Sequence, residues 1–153
     1  MRFFKIIIFI ILVLVLQTVF FARLNLFGVA PDLILVSVIL FAVYANYQQT
    51  LLVAVVAGFL QDILSYQGYA NTIVNVSATY LINLLKHNYI GGEQWLCFNL
   101  VLALSPLSQL IQRLPLRQTD PWLIVKVVFL GTLYNLMTAL ILAPIVKRLA
   151  HGE

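Results

Sequence analysis

The sequence predicts an all-α, polytopic membrane protein with six transmembrane helices in a single domain over residues 1–153. Three observations predict it. Hydrophobic residues make up 63% of the chain and charged residues 9%, with a mean hydropathy of +1.02. A soluble domain of that composition would leave most of its apolar surface in water. Apolar runs recur along the whole chain, at roughly the 20-residue length of a membrane helix. Ionisable and aromatic residues gather at the ends of those runs, as interfacial anchors do. Within hydrocarbon every backbone N–H and C=O must be paired inside the segment, so the runs are expected to be helices.

The expected spans are about 5–23, 32–47, 50–66, 70–87, 94–112 and 121–147. The first follows Met1-Arg2-Phe3-Phe4-Lys5 and runs from Ile6 to Ala22. It is long for the apolar region of a signal peptide, and no small-x-small cleavage site follows, so an uncleaved helix is expected. The second and third are short and separated by Asn46-Tyr47-Gln48-Gln49, which predicts a tight helical hairpin. On the third, Ala54, Ala57 and Gly58 form a small-residue face that suits close helix contact. The fifth contains Pro106. The sixth is longer than a bilayer requires, so it must tilt or continue along the surface past Pro144. Tyr44, Tyr47, Tyr66, Tyr69, Tyr89, Trp95 and Trp122 fall near predicted ends, as an aromatic belt requires.

An even number of spans puts both termini on one side. That side holds Arg2, Lys5, Lys86, Lys147 and Arg148, with His87 and His151. The other holds Arg23, Arg113 and Arg117, with Lys126 near the outer end of the last helix. The excess of basic residues predicts an N-in, C-in topology. Asp32, Asp62 and Asp120 then fall on the outer side with those bases, which predicts a charged layer near the outer membrane face.

The polar residues differ in what explains them. Asp32 follows Pro31, and proline suits the first turn of a helix. A carboxylate there also meets the positive end of the helix dipole. Asp120-Pro121 repeats the device, with Asp120 as the expected N-cap of the sixth helix. Gly28 gives the turn before Pro31 its freedom. Asp62 is near the C-terminal end of its helix, where neither capping nor that helix's dipole favours a negative charge. Ionised near hydrocarbon it costs about 2–3 kcal/mol unless paired. It is therefore either an interfacial acid facing water or a buried group with a partner: Lys126, Arg23, or the Asn and Thr groups of the fourth helix. Asn71, Asn75, Thr79 and Asn83 recur every four residues, which places them on one slowly drifting face. That stripe should face inward, either as interhelical hydrogen bonds of about 0.6 kcal/mol each or as the wall of a polar cavity. Asn99, Ser105, Ser108, Gln109 and Gln112 on the fifth helix, and Tyr134, Asn135 and Thr138 on the sixth, are further inward-facing candidates.

The net charge of +4 comes from bases scattered at segment ends, which argues against nucleic-acid binding. Cys97 lies in an apolar run and reads as a small buried hydrophobe; it permits no intrachain disulfide and has no metal-ligand spacing. His87 and His151 read as flanking residues. The chain carries no nucleophile–base–orienter set, no phosphate-cradling glycine loop and no metalloprotease motif, so neither an enzyme nor a cofactor is expected.

Gly28-Val29-Ala30-Pro31-Asp32-Leu33-Ile34-Leu35 resembles the G-x-x-PDL-x-L segment of the rod shape-determining protein MreD family. Gly58-Phe59-x-x-Asp62-Ile63-Leu64-Ser65 with Gly68 is similar to that family's GF-x-x-D-hydrophobic-LS segment. Tyr134-Asn135-Leu136 and Ala143-Pro144 resemble its last helix. The chain departs from the pattern at Gln61, Tyr66 and Gln67, where the family commonly carries small residues. The resemblance covers essentially the full chain. It implies a non-catalytic scaffold in the bacterial inner membrane, part of the elongation (rod) complex that regulates cell shape. The implied direct partner is MreC, and through it MreB filaments and the glycosyltransferase and transpeptidase pair that build peptidoglycan. It also implies a fold similar to the substrate-binding subunits of energy-coupling-factor vitamin transporters. From this comes the alternative of a vitamin-capture subunit with a pocket lined by Asn71, Asn75 and Asn99. The residues expected to organise fold and partner binding are Gly28, Pro31, Asp32, Gly58, Asp62, Gly68 and Lys126. A homo-oligomer is compatible with all of this.

Overall fold

The computed structural model describes residues 2–21, 29–65, 68–113 and 121–151. Gly28, Arg23, Tyr66, Arg117 and Asp120 lie outside them, as do the side chains of Gln112 and Arg113. Every described element is helical: α1 (Arg2–Val15), continued by a π-helical segment Leu16–Phe21, then α2 (Leu33–Tyr44), α3 (Tyr47–Ser65), α4 (Ala70–Lys86), α5 (Glu93–Arg113) and α6 (Pro121–His151). Three of them, over Tyr47–Ser65, Glu93–Ile111 and Pro121–His151, are long and apolar enough to cross a membrane. Phe4–Val19 and Leu33–Tyr44 are shorter apolar helices.

The bundle is organised around α2. All of its residues are buried, and it packs against each of the other five helices. A helix that is apolar on every side must be buried on every side, and Leu33–Tyr44 has only Ser37 and the Tyr44 hydroxyl as side-chain polar groups. Its 12 residues rise about 18 Å, well short of the roughly 30 Å of hydrocarbon. The expected span of 32–47 is therefore too long. The chain turns at Ala45, which is extended (φ −106°, ψ 177°), and the Ala45 N–H closes the last turn on the Phe41 carbonyl at 2.8 Å. The Thr50 hydroxyl also donates to the Phe41 carbonyl, at 3.0 Å. The helix ends where Ala45 turns extended, the Thr50 bond ties that last turn to α3, and Tyr47, Gln48 and Gln49 become the first turn of α3 instead of linker. The hairpin itself is as tight as expected.

Around α2, Phe41 meets Phe9 of α1 edge to face, with ring centroids 5.8 Å apart. Ile10, Val53, Ile82, Val101 and Val146 close the same core from five directions. The outward faces are equally apolar: Phe129 is 69% exposed, Ile141 67%, Leu140 65% and Ile73 63%. A body that is apolar inside and out needs an apolar solvent, since exposed patches of this extent aggregate in water. One position in the expected aromatic belt differs from the tryptophans. Trp95 and Trp122 are exposed, but Tyr44 is 8% exposed because it closes the end of α2 inside the bundle.

The small face of α3 meets α4, with Ala54, Ala57 and Gly58 all buried. A Cβ built on Gly58 would lie 2.6 Å from the Thr72 Cα and 3.0 Å from the Thr72 nitrogen. Backbone meets backbone at that point, and nothing flexible can move aside. On α5 and α6 the Gln109 amide lies so close over Gly131 that any Cβ there would collide with it.

Gly58→Ala is expected to lower stability by about 1–3 kcal/mol through this backbone clash. Gly92→Ala, with open space around it, should stay within about 0.5 kcal/mol of the parent. Thermal unfolding of the two detergent-solubilised variants checks the contrast; equal melting temperatures would contradict the close approach.

Candidate functional site

The first turn of any helix leaves backbone N–H groups without partners inside the helix. At α4 the residue in the N-cap position is Tyr69, whose side chain makes no capping bond. The chain reaches it through Gly68 at φ +67°, a left-handed conformation that costs other residues about 1–2 kcal/mol. The missing cap comes from α3. One Asp62 carboxylate oxygen accepts the Asn71 N–H at 2.8 Å. The other accepts the Thr72 N–H at 2.9 Å and the Thr72 hydroxyl at 2.6 Å. Asp62 is 4% exposed, so these bonds replace water. Gly58 is one turn back on the same face of α3, and its missing side chain lets the two backbones come close enough for the carboxylate to reach.

Weighing Asp62 against the dipole of α3 alone thus misidentifies its environment. The charge stands at the unfavourable end of its own helix but at the positive end of α4. Of the expected partners, the fourth-helix groups are the ones it meets. Lys126 is exposed and is not among them. Thr72 is the residue that sequence reasoning missed. Only its place at the third position of α4, after Gly68-Tyr69, marks it. Ser65 completes the joint, because its hydroxyl donates to the Gln61 carbonyl at 2.7 Å and accepts from the Asn71 amide at 3.3 Å.

The start of α2 is a second such junction. Asp32 is the N-cap, its carboxylate accepting the Leu35 N–H at 3.0 Å. Pro31 precedes the cap and is not in the first turn as expected. The Asp32 N–H donates to the Asn135 side-chain oxygen at 2.7 Å, and the Ile34 N–H donates to the Gln17 side-chain oxygen at 3.0 Å. The Asn135 amide then donates to the Ser105 hydroxyl at 3.0 Å. Four segments therefore meet at the buried end of α2. Gln17, on the π-helical segment, was also missed; a lone carboxamide near the end of an apolar run was the available signal. Both Asp32 and Asp62 act as helix caps, so the expected outer charged layer loses two of its free carboxylates.

These two junctions flank the last turns of α3. A cleft of about 270 Å³ between α3 and the start of α2 is lined by Gln17, Thr18, Ala30, Pro31, Asp32, Gln61, Leu64 and Ser65. On the other side of α3 an open depression is lined by Phe59, Asp62, Ile63, Gly68 and Tyr69. Phe59, Ile63, Leu64 and Tyr69 are exposed between them. The result is a ridge of exposed apolar side chains between two capping networks.

The fourth-helix stripe faces inward at Asn71, Asn75 and Thr79, while Asn83 drifts to a half-buried position. The Thr79 hydroxyl donates to the Asn75 carbonyl of its own helix at 2.9 Å, and the Asn75 amide nitrogen is buried without a partner. Asn99 is exposed and donates to the Tyr89 hydroxyl at 3.2 Å. It shares no described cleft with Asn71 and Asn75. Among the described residues no group of three His, Cys, Asp or Glu side chains could hold a metal. His87 and His151 are exposed, at the opposite end of the bundle from Asp62.

Asp62→Ala leaves three donors in a dry joint and is expected to cost about 2–4 kcal/mol. Asp62→Asn keeps one acceptor and should cost less than half as much. Asn135→Ala should cost about 1–3 kcal/mol at the other junction. Denaturation in mild detergent orders the three, and an alanine at position 62 as stable as the parent would remove the capping role. No protein-family model, curated protein or solved structure matches the chain.

Proposed function

We propose that this chain is a six-span, non-catalytic scaffold in the bacterial inner membrane, oriented N-in and C-in, with the short α2 crossing inside the protein, where its ends need not meet lipid. In this reading it binds MreC and helps couple MreB filaments to the peptidoglycan glycosyltransferase and transpeptidase pair. The observation that carries it is the α3–α4 joint. Gly58, Asp62 and Gly68, the residues through which the chain resembles MreD-like proteins, serve one junction: close approach, cap and turn. Asp32, from the other resembling segment, caps α2. The two carboxylates are spent on helix capping, and the side chains exposed beside them, Phe59, Ile63, Leu64 and Tyr69, are the surface this reading offers to a partner's membrane helix. A fold similar to energy-coupling-factor substrate-binding subunits is part of the same proposal.

One observation favours the second reading, a vitamin-capture subunit: the buried Asn75 amide nitrogen has no partner. That reading requires a co-purifying ligand that depends on Asn71 and Asn75; Asn99, exposed and bonded to Tyr89, is not part of their surroundings.

The test is depletion of the protein in its host, with cell shape followed alongside pull-down of MreC complexes from gently solubilised membranes. Rounded cells and loss of MreC association with the wall synthases are the expected outcome. Rods that keep their shape, and above all rods that come to need an added vitamin, would favour the second reading. In the same assay Asp62→Ala is expected to impair complex assembly more than Asp120→Ala.

A further inference from the structure

At the end of the bundle opposite Asp62, α2, α5 and α6 do not close on one another. A groove of about 300 Å³ runs between them, lined by Leu40, Cys97, Phe98, Ala139 and Ala143, with Lys147 at its mouth. Its cause is local. Ala139 and Ala143 present small side chains one turn apart on α6, and Cys97 does the same on α5. The Pro144 ring lacks the N–H that would bond the Leu140 carbonyl. From Leu140 to Lys147 the trough spans about 10 Å along the helix.

The groove is amphipathic along its length. Its floor is apolar, and beside it Leu140, Ile141 and Ile145 form an exposed apolar face. Its mouth is cationic. The Lys147 side chain is 48% exposed, and its ammonium lies 5.7 Å from the centroid of the Tyr44 ring and is only loosely paired with Glu93 at 3.8 Å. Arg148 is next to it in sequence, and Lys86 is tied to the Ala45 carbonyl at 3.4 Å, one residue from Tyr44. Lys147 and Lys86 thus set two cations at this end of the groove against the single carboxylate of Glu93. The exposed Trp95 is two residues past Glu93, at the level where indoles favour a membrane interface.

We propose that this groove binds one anionic phospholipid, an acyl chain lying along Ala139, Ala143 and Phe98 and the phosphate meeting Lys147. Two features point to a lipid. The groove opens sideways on a face that only lipid can solvate, so its occupant comes from the bilayer, and the excess of positive charge at the mouth selects a negative headgroup. Glu93 competes with the phosphate for Lys147 and tempers the affinity. The proposal rests on the membrane reading above but not on the rod complex, and a requirement for detergent in extraction checks the membrane reading separately.

The experiment is native mass spectrometry of the full chain in detergent with added phosphatidylglycerol or phosphatidylcholine of matched acyl chains. A single phosphatidylglycerol should be retained over phosphatidylcholine by about fivefold, the effect of one basic side chain near the headgroup. Lys147→Gln should remove most of that preference, and Glu93→Gln should increase it. Ala143→Leu fills the floor and should lose adducts of both lipids while the melting temperature is kept. Equal retention of the two lipids by the parent would overturn the proposal. So would adducts that Lys147→Gln and Ala143→Leu leave unchanged, or a protein chain co-purifying in the groove in place of lipid.

Discussion

The contact between the Asp62 carboxylate and the first turn of α4 governs the architecture. A buried carboxylate and a buried helix start are each costly in a dry interior, the one as an uncompensated charge and the other as unpaired N–H groups. Placed together, each satisfies the other, with three bonds between 2.6 and 2.9 Å. The requirement that they touch explains the neighbouring residues. Gly58 must lack a side chain for α4 to approach, and Gly68 must turn left-handed for the chain to return within six residues of Asp62. Thr72 adds a hydroxyl that no other part of the joint needs.

The start of α2 meets the same constraint with neutral groups. An all-apolar helix can slide or rotate in an apolar bundle at little cost, because any face packs about as well as any other. Its ends are the only places where depth and rotation can be specified. Gln17 and Asn135 accept N–H groups of that end, and Asn135 passes its own amide to Ser105. Three helices are thereby keyed to one level of α2. The opposite end is keyed by Thr50, through its bond to the Phe41 carbonyl.

Much of this was legible in the chain. The helices follow from apolar runs, the hairpin from Asn46 to Gln49, and the inward stripe from a four-residue period. Gly58, Asp62 and Gly68 stand out because each is a poor choice for a lipid-facing helix. Their mutual role was not legible, since a cap supplied by a neighbouring helix has no fixed spacing. The same holds for Gln17 and Asn135, which meet only through the backbone of α2. The length of α2 was overestimated because Tyr44, Ala45 and Tyr47 are apolar enough to extend a run, whereas the backbone turns extended at Ala45 and α3 begins at Tyr47. Asn83 kept the period but not the burial, since four-residue steps drift around a helix of 3.6 residues per turn.

The bond from the Asp32 N–H to Asn135 joins residues 103 positions apart, and this bears on how the protein is made. Helices are made in chain order, and Asn135 is carried by α6, well after the α2 that it anchors. Until the ribosome has delivered it, the second helix is present with a native acceptor missing at its buried end. The depth of the earliest core is thus written into a residue made much later, and the native seat of α2 is complete only once α6 has docked against it.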